Sequence, residues 1–111
     1  MLTLDFDRMT ATASDQRMYF RQGKTRPITD RLAALQRLKQ GIQAQEGAIL
    51  AALQQDLHKP QFEGYVNEVL STIREIDHVI RHLPQWVQPQ RVGTNPLVFP
   101  ATAQIHAEPL G

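Results

Sequence analysis

The chain has 111 residues, with 12 Lys and Arg against 11 Asp and Glu, a length that suits one modest domain or part of a larger one. Its charges are scattered rather than massed in a basic stripe, which argues against a nucleic-acid partner, and the absence of cysteine excludes disulfides, thiolate metal sites and a cysteine nucleophile within these residues. The amino terminus lacks a basic region followed by an apolar run, and no stretch approaches the roughly 20 apolar residues that span a bilayer, so a cytoplasmic chain without a membrane segment is expected.

Residues 1–13 mix Thr, Asp and Ala without sustained periodicity and are expected to form a loose lead-in. Ser14 and Asp15 then offer an N-cap for a short helix carrying Met18, Tyr19 and Phe20, with Gly23 as its stop. Pro27 suits the first turn of the next helix, where its missing N–H is harmless. Ile28, Leu32, Leu35, Leu38 and Ile42 follow at steps of three and four, and Ile49, Leu50, Leu53 and Leu57 continue the stripe on the same side of the helical wheel. Gly41 and Gly47 bracket Gln43 to Gln45, which predicts a kink or short break there.

His58 and Lys59 place cationic groups near the carbonyl end of this helix, and Pro60 forces a new start. From Gln61, a second stripe runs through Phe62, Val66, Val69, Ile73, Ile76, Ile80 and Leu83. With a connection this short, the two stripes are expected to pack as an antiparallel helical hairpin. Pro84 can open one more turn holding Trp86 and Val87, after which Pro89, Gly93, Pro96 and Pro100 exclude helix.

The expected fold class is therefore mainly α. A helical segment over 14–88 precedes a proline- and glycine-rich extended crossover over 89–101, and one strand with a turn occupies 102–111. That strand has no expected ladder within the chain, so its N–H and C=O groups call for partners from elsewhere.

The chemistry-bearing residues are sparse. His78 and His82 stand four apart on a helix, the spacing that lets two imidazoles reach one metal, but no glutamate follows the first and an arginine precedes the second. They read as part of a solvated face, and no metal site is assigned. Glu63, Glu68, Glu75 and Asp77 interleave with Arg74, His78 and Arg81 and read as charged surface rather than an acid–base pair. Ser14 and Ser71 lie in no nucleophile elbow, and the six glycines form no phosphate-cradling loop. Tyr19, Tyr65 and Trp86 are isolated aromatics suited to core or interface packing.

Four strings nevertheless occur in a telling order: Phe20-Arg21-Gln22-Gly23-Lys24-Thr25-Arg26-Pro27, Asp56-Leu57-His58-Lys59-Pro60, the run from Ile76 to Trp86, and Ile105-His106-Ala107-Glu108-Pro109-Leu110-Gly111. From about residue 15 onward the chain resembles the N-terminal region of class 3-type aldehyde dehydrogenases, the branch that includes fatty aldehyde dehydrogenases. The resemblance implies a fragment of an α/β fold. In that family the Glu-Pro-Leu-Gly turn leads into the first strand of the NAD(P)-binding domain, the corresponding helices pack around that domain, and the strand after the proline-rich crossover joins a small sheet used for subunit association.

The family reaction oxidises an aldehyde to a carboxylate. A cysteine thiolate attacks the carbonyl, an asparagine and a backbone N–H stabilise the oxyanion, hydride passes to the nicotinamide, and a glutamate activates the hydrolytic water. None of those residues falls in the matched region, so catalytic and cofactor-binding residues are expected to be absent from this chain, with NAD or NADP serving a complete family member. The resemblance also places the helix from Gln61 to His82 near the aldehyde entrance, which makes Asn67 and Ser71 candidate substrate-path residues. Expected partners are the remaining aldehyde dehydrogenase domains or a second copy of the chain. A stand-alone helical interaction or dimerisation module stays open as the alternative.

Overall fold

The structure, a computed structural model, describes residues 5–110. The first four residues of the expected lead-in, and Gly111 of the expected terminal turn, lie outside the described residues. The described residues form helices α1 (Phe6–Arg21), α2 (Ile28–Ala44), α3 (Glu46–Leu57), α4 (Gln61–Gly64) and α5 (Ser71–Trp86). A π-helical segment, Tyr65–Leu70, joins α4 to α5. Two short strands, β1 (Gln90–Val92) and β2 (Ala103–Ile105), flank a 3-10 turn at Pro96–Val98.

The mainly α class and the helical hairpin agree with the periodicity. Lys39 on α2 bonds Asp77 on α5, while the Cβ position of Gly64 on α4 faces Leu50 and Leu53 on α3. Contacts therefore run in opposite chain directions, which defines an antiparallel pair. The break between its first two helices falls at Gln45, between the two glycines that bracket it. Leu50, Val69 and Ile76 are the buried apolar residues at the centre of the hairpin.

The reversal is a helix C-terminal motif. His58 takes a left-handed conformation with φ 53°, its N–H donates to the Gln54 carbonyl at 3.0 Å, and the Lys59 N–H reaches back to the Leu53 carbonyl at 3.5 Å. These two reach-back bonds satisfy carbonyls that the end of α3 would otherwise leave open.

Three expectations need correction. The stretch up to residue 13 is not a loose lead-in where it is described, because α1 starts at Phe6 and runs through Ser14 and Asp15. Asp5 caps it, accepting from the Arg8 N–H at 3.0 Å. Its large apolar residues Phe6, Met9, Met18, Tyr19 and Phe20 do not sustain steps of three and four along the helix, so no apolar stripe reports it to a periodicity search. Its stop is as expected: Gly23 has φ 73° and its N–H donates to the Phe20 carbonyl at 2.8 Å.

The second correction concerns the strand near the carboxyl end. It is not an orphan: β2 pairs antiparallel with β1, setting Gln90 opposite Ile105 and Val92 opposite Ala103. The expected extended crossover thus contributes a strand of its own, and the chain between the strands turns through Pro96–Val98, where the Asn95 side chain accepts from the Leu97 N–H at 3.0 Å. Third, Pro84 does not open a separate turn but lies inside α5, which continues to Trp86.

Candidate functional site

The expected substrate-path residues lie on the π-helical segment and at its exit. Both Asn67 and Ser71 are exposed. The Ser71 hydroxyl donates to the Asn67 carbonyl and also approaches the Glu68 carbonyl at 3.2 Å, while the Thr72 hydroxyl donates to that same Glu68 carbonyl at 2.6 Å. Hydroxyls inserted at these carbonyls compete with the backbone N–H groups that would continue the α ladder, which accounts for the local widening. A π segment is a one-turn irregularity that often marks functional positions. Sequence periodicity did not expose it, since the apolar stripe passes through without interruption.

Of the four carboxylates singled out in the sequence, Glu68 and Asp77 are engaged in ion pairs between elements rather than along one helix face. Lys39 Nζ lies 2.6 and 2.9 Å from the two oxygens of Asp77, tying α2 to α5. Lys59, just past the reversal, pairs with Glu68 on the π segment, and this bond holds the lysine's pKa above its ordinary value. His58, expected as a helix-end cation, serves mainly through its backbone conformation.

Arg26 and Glu108 are 82 positions apart in the chain and meet at 2.5 Å. They belong to the first and last of the four strings noted in the sequence. Hydrogen bonding first, and charge attraction second, hold the Glu108 carboxyl below its usual range and raise the Arg26 guanidinium. Around them lies a cleft of about 300 Å3 lined by Phe20, Arg21, Gly23, Arg26, Glu108 and Pro109. Nothing in the sequence spacing announces this pair; it exists because the tail returns to the end of α1.

The largest feature is uncovered apolar surface. Phe62 is 79% exposed, Phe99 87% and Leu97 91%, and Leu38 and Leu57, both members of the first stripe, are also exposed. The radius of gyration is 20.4 Å, whereas a compact domain of this length has about 13 Å. The accessible surface is 9393 Å2. A compact 12.6 kDa monomer exposes about 6,200 Å2, so roughly 3,200 Å2 more is open here. That excess is several times the roughly 800 Å2 that one partner buries in a standard protein interface.

Among the described residues, no group of three or more His, Cys, Asp or Glu converges to hold a metal, and no helix is long and apolar enough to cross a membrane. The fold and its surfaces define a mainly α open hairpin whose polar side chains chiefly make caps and ion pairs.

No protein-family profile matches the chain. Curated relatives do. It is 37% identical over 95 residues to the dimeric NADP-preferring aldehyde dehydrogenase of Canis lupus familiaris, covering 86% of this chain and 21% of that protein. It is 39% identical over 95 residues to aldehyde dehydrogenase family 3 member A2 of Pongo abelii, covering 86% of this chain and 20% of the relative. The chloroplastic family 3 member I1 of Arabidopsis thaliana is 37% identical over 95 residues, covering 86% and 17% respectively. Among solved structures, a substrate-bound state of AldH from Staphylococcus aureus superposes with a TM-score of 0.83 at 27% identity, over 95% of this chain and 22% of that one. The chain is homologous to the class 3 aldehyde dehydrogenases, and it spans about a fifth of the length of the curated relatives it matches.

Proposed function

We propose that this chain is the helical scaffold and association segment of an NAD(P)-dependent aldehyde dehydrogenase and performs no oxidation by itself. The carrying observation is the open surface: the 9393 Å2 exposed greatly exceeds what a compact monomer of this mass leaves uncovered. Burying apolar groups such as Phe62, Leu97 and Phe99 against further polypeptide is strongly favourable at about 25 cal/mol per Å2. The chemistry agrees, because the reaction needs a thiolate nucleophile and the 111 residues contain no cysteine. Aldehyde oxidation with NAD(P)+ then requires a cofactor domain and a thiol supplied outside these residues.

The test is NAD(P)H formation by the purified chain with a medium- or long-chain aldehyde. A rate equal to the no-protein control is expected; turnover that survives removal of any contaminating full-length enzyme would refute the reading. Asn67 and Ser71 are proposed to border the aldehyde path of the complete enzyme. There, Asn67→Ala and Ser71→Ala should change KM by several-fold between short and long aldehydes while leaving kcat near its original value, and unchanged KM values for all aldehydes would remove both from the path.

The same open faces would also suit a second copy of the chain. Sedimentation separates the two readings. A defined, cooperative dimer favours a self-sufficient interaction module, whereas ill-defined association or partial unfolding favours a segment completed by other domains.

A further inference from the structure

We propose that His78 and His82 form a two-histidine site for a divalent transition metal of the copper, nickel or zinc type on the outer face of α5. This inference is independent of the aldehyde dehydrogenase reading. The two rings lie one helical turn apart with centroids 4.1 Å from each other and planes tilted by 33°. Both belong to α5, whose backbone holds their separation without help from any other element.

Protonation geometry makes the pair more than two neighbouring imidazoles. His82 Nδ1 lies 2.7 Å from the His78 carbonyl oxygen. A carbonyl can only accept, so Nδ1 carries the proton and donates, and the neutral ring keeps its lone pair on Nε2. Metal-bound histidines characteristically donate their other ring N–H to a carbonyl or carboxylate, which fixes the tautomer and the ring orientation. His82 already has that arrangement. Imidazole nitrogen suits copper, nickel and zinc, with copper bound most tightly in the ordinary affinity order.

On the His78 side there is room for a hydrated ion. His78, without His82, borders a cleft of about 540 Å3 together with Arg74, Glu75, Asp77 and Arg81. Asp77 is held by Lys39, so Glu75 is the one carboxylate left in the cleft to offset Arg74 and Arg81, and the metal must be held by imidazole nitrogen rather than by local negative charge. With two protein ligands and the remaining positions taken by water, the site would be exchangeable rather than structural.

Trp86, the single tryptophan, provides the readout. Its ring centroid lies 5.7 Å from both imidazoles, and it is stacked at 21° on His82. Copper(II) chloride titrated into the full 111-residue chain should quench Trp86 fluorescence saturably at one equivalent, with reversal by EDTA. His78→Gln and His82→Gln should each weaken the midpoint by about tenfold or more. The double variant His58→Gln with His106→Gln, which removes the other two histidines, should leave the titration unchanged. Non-saturating quenching, or equal midpoints in the original chain and the two α5 variants, would overturn the site, as would loss of binding in the His58/His106 double variant.

Discussion

Gly64 sits where α4 passes closest to α3, and substituting it measures how tightly the hairpin is closed. A Cβ at this position would lie 3.3 Å from Leu50 Cδ2 and 3.5 Å from Leu53 Cδ1. Both are the far ends of leucine side chains, so Gly64→Ala asks for a shift of only tenths of an ångström. Against that small strain stands a helix preference of about 1 kcal/mol for Ala over Gly. The alanine variant should therefore be neutral or more stable by up to about 1 kcal/mol. Valine places two further carbons about 1.5 Å beyond that Cβ. They would enter the wall formed by Leu50, which is only 7% exposed. Overpacking of this kind costs about 1–3 kcal/mol. The gap between the two variants should be about 2 kcal/mol, or about 10 °C in Tm. Thermal unfolding followed by helical circular dichroism at one fixed protein concentration measures it. Adding Leu50→Ala to Gly64→Val should recover part of the loss, because the shortened side chain admits the valine. Equal Tm values for the alanine and valine variants, or strict additivity in the double variant, would refute the close approach.

His58→Gly should stabilise the reversal by about 1 kcal/mol, since glycine accepts the left-handed φ of 53° without a Cβ penalty; an unchanged urea midpoint would count against the strain. Lys39→Ala and Asp77→Ala should each cost no more than about 1 kcal/mol, with a smaller effect at high salt, because both side chains remain partly exposed; a double-mutant cycle at two salt concentrations checks this. The Glu108 carboxyl is depressed by Arg26, so its contribution is present above the unfolded carboxylate range near pH 4 and is lost as pH falls through the lower folded value. Amide protection factors around Arg26 and Glu108, corrected for the intrinsic slowing of exchange in acid, should fall in that acid window, and Glu108→Gln should remove that fall; an identical profile in the variant would remove Arg26–Glu108 as its cause.

Much of the helical architecture was legible because it is written in local periodicity. The stripe from Ile28 to Leu57 and the one from Phe62 to Leu83 each repeat at the helical interval, and a short reversal at His58 to Pro60 leaves them one way to pack. The stop at Gly23 and the break at Gln45 were likewise readable from glycine placement. Even here the stripe overstated burial: Phe62 falls on the pattern yet stands 79% exposed, since periodicity identifies a face but not what covers it.

The likeness to class 3 aldehyde dehydrogenases was legible for a different reason. Four ordered strings resemble that family, and relatives 37% and 39% identical align over 86% of the chain. At the level of a site, the resemblance marks Ser71 for the substrate path, and the structure adds the bonds of its hydroxyl to the helix backbone, which no spacing announces.

What the sequence determined by itself was the set of local elements with a strong repeat or a clear stop, together with the absence of a cysteine nucleophile. Tertiary structure decided the rest. The α1 helix, capped by Asp5, has no sustained apolar repeat to reveal it. The pairing of Gln90–Val92 with Ala103–Ile105, the Arg26–Glu108 bridge, and the split of each stripe into covered and open parts depend on residues far apart in the chain. Such contacts arise when packing brings distant segments together, and no short-range spacing encodes them.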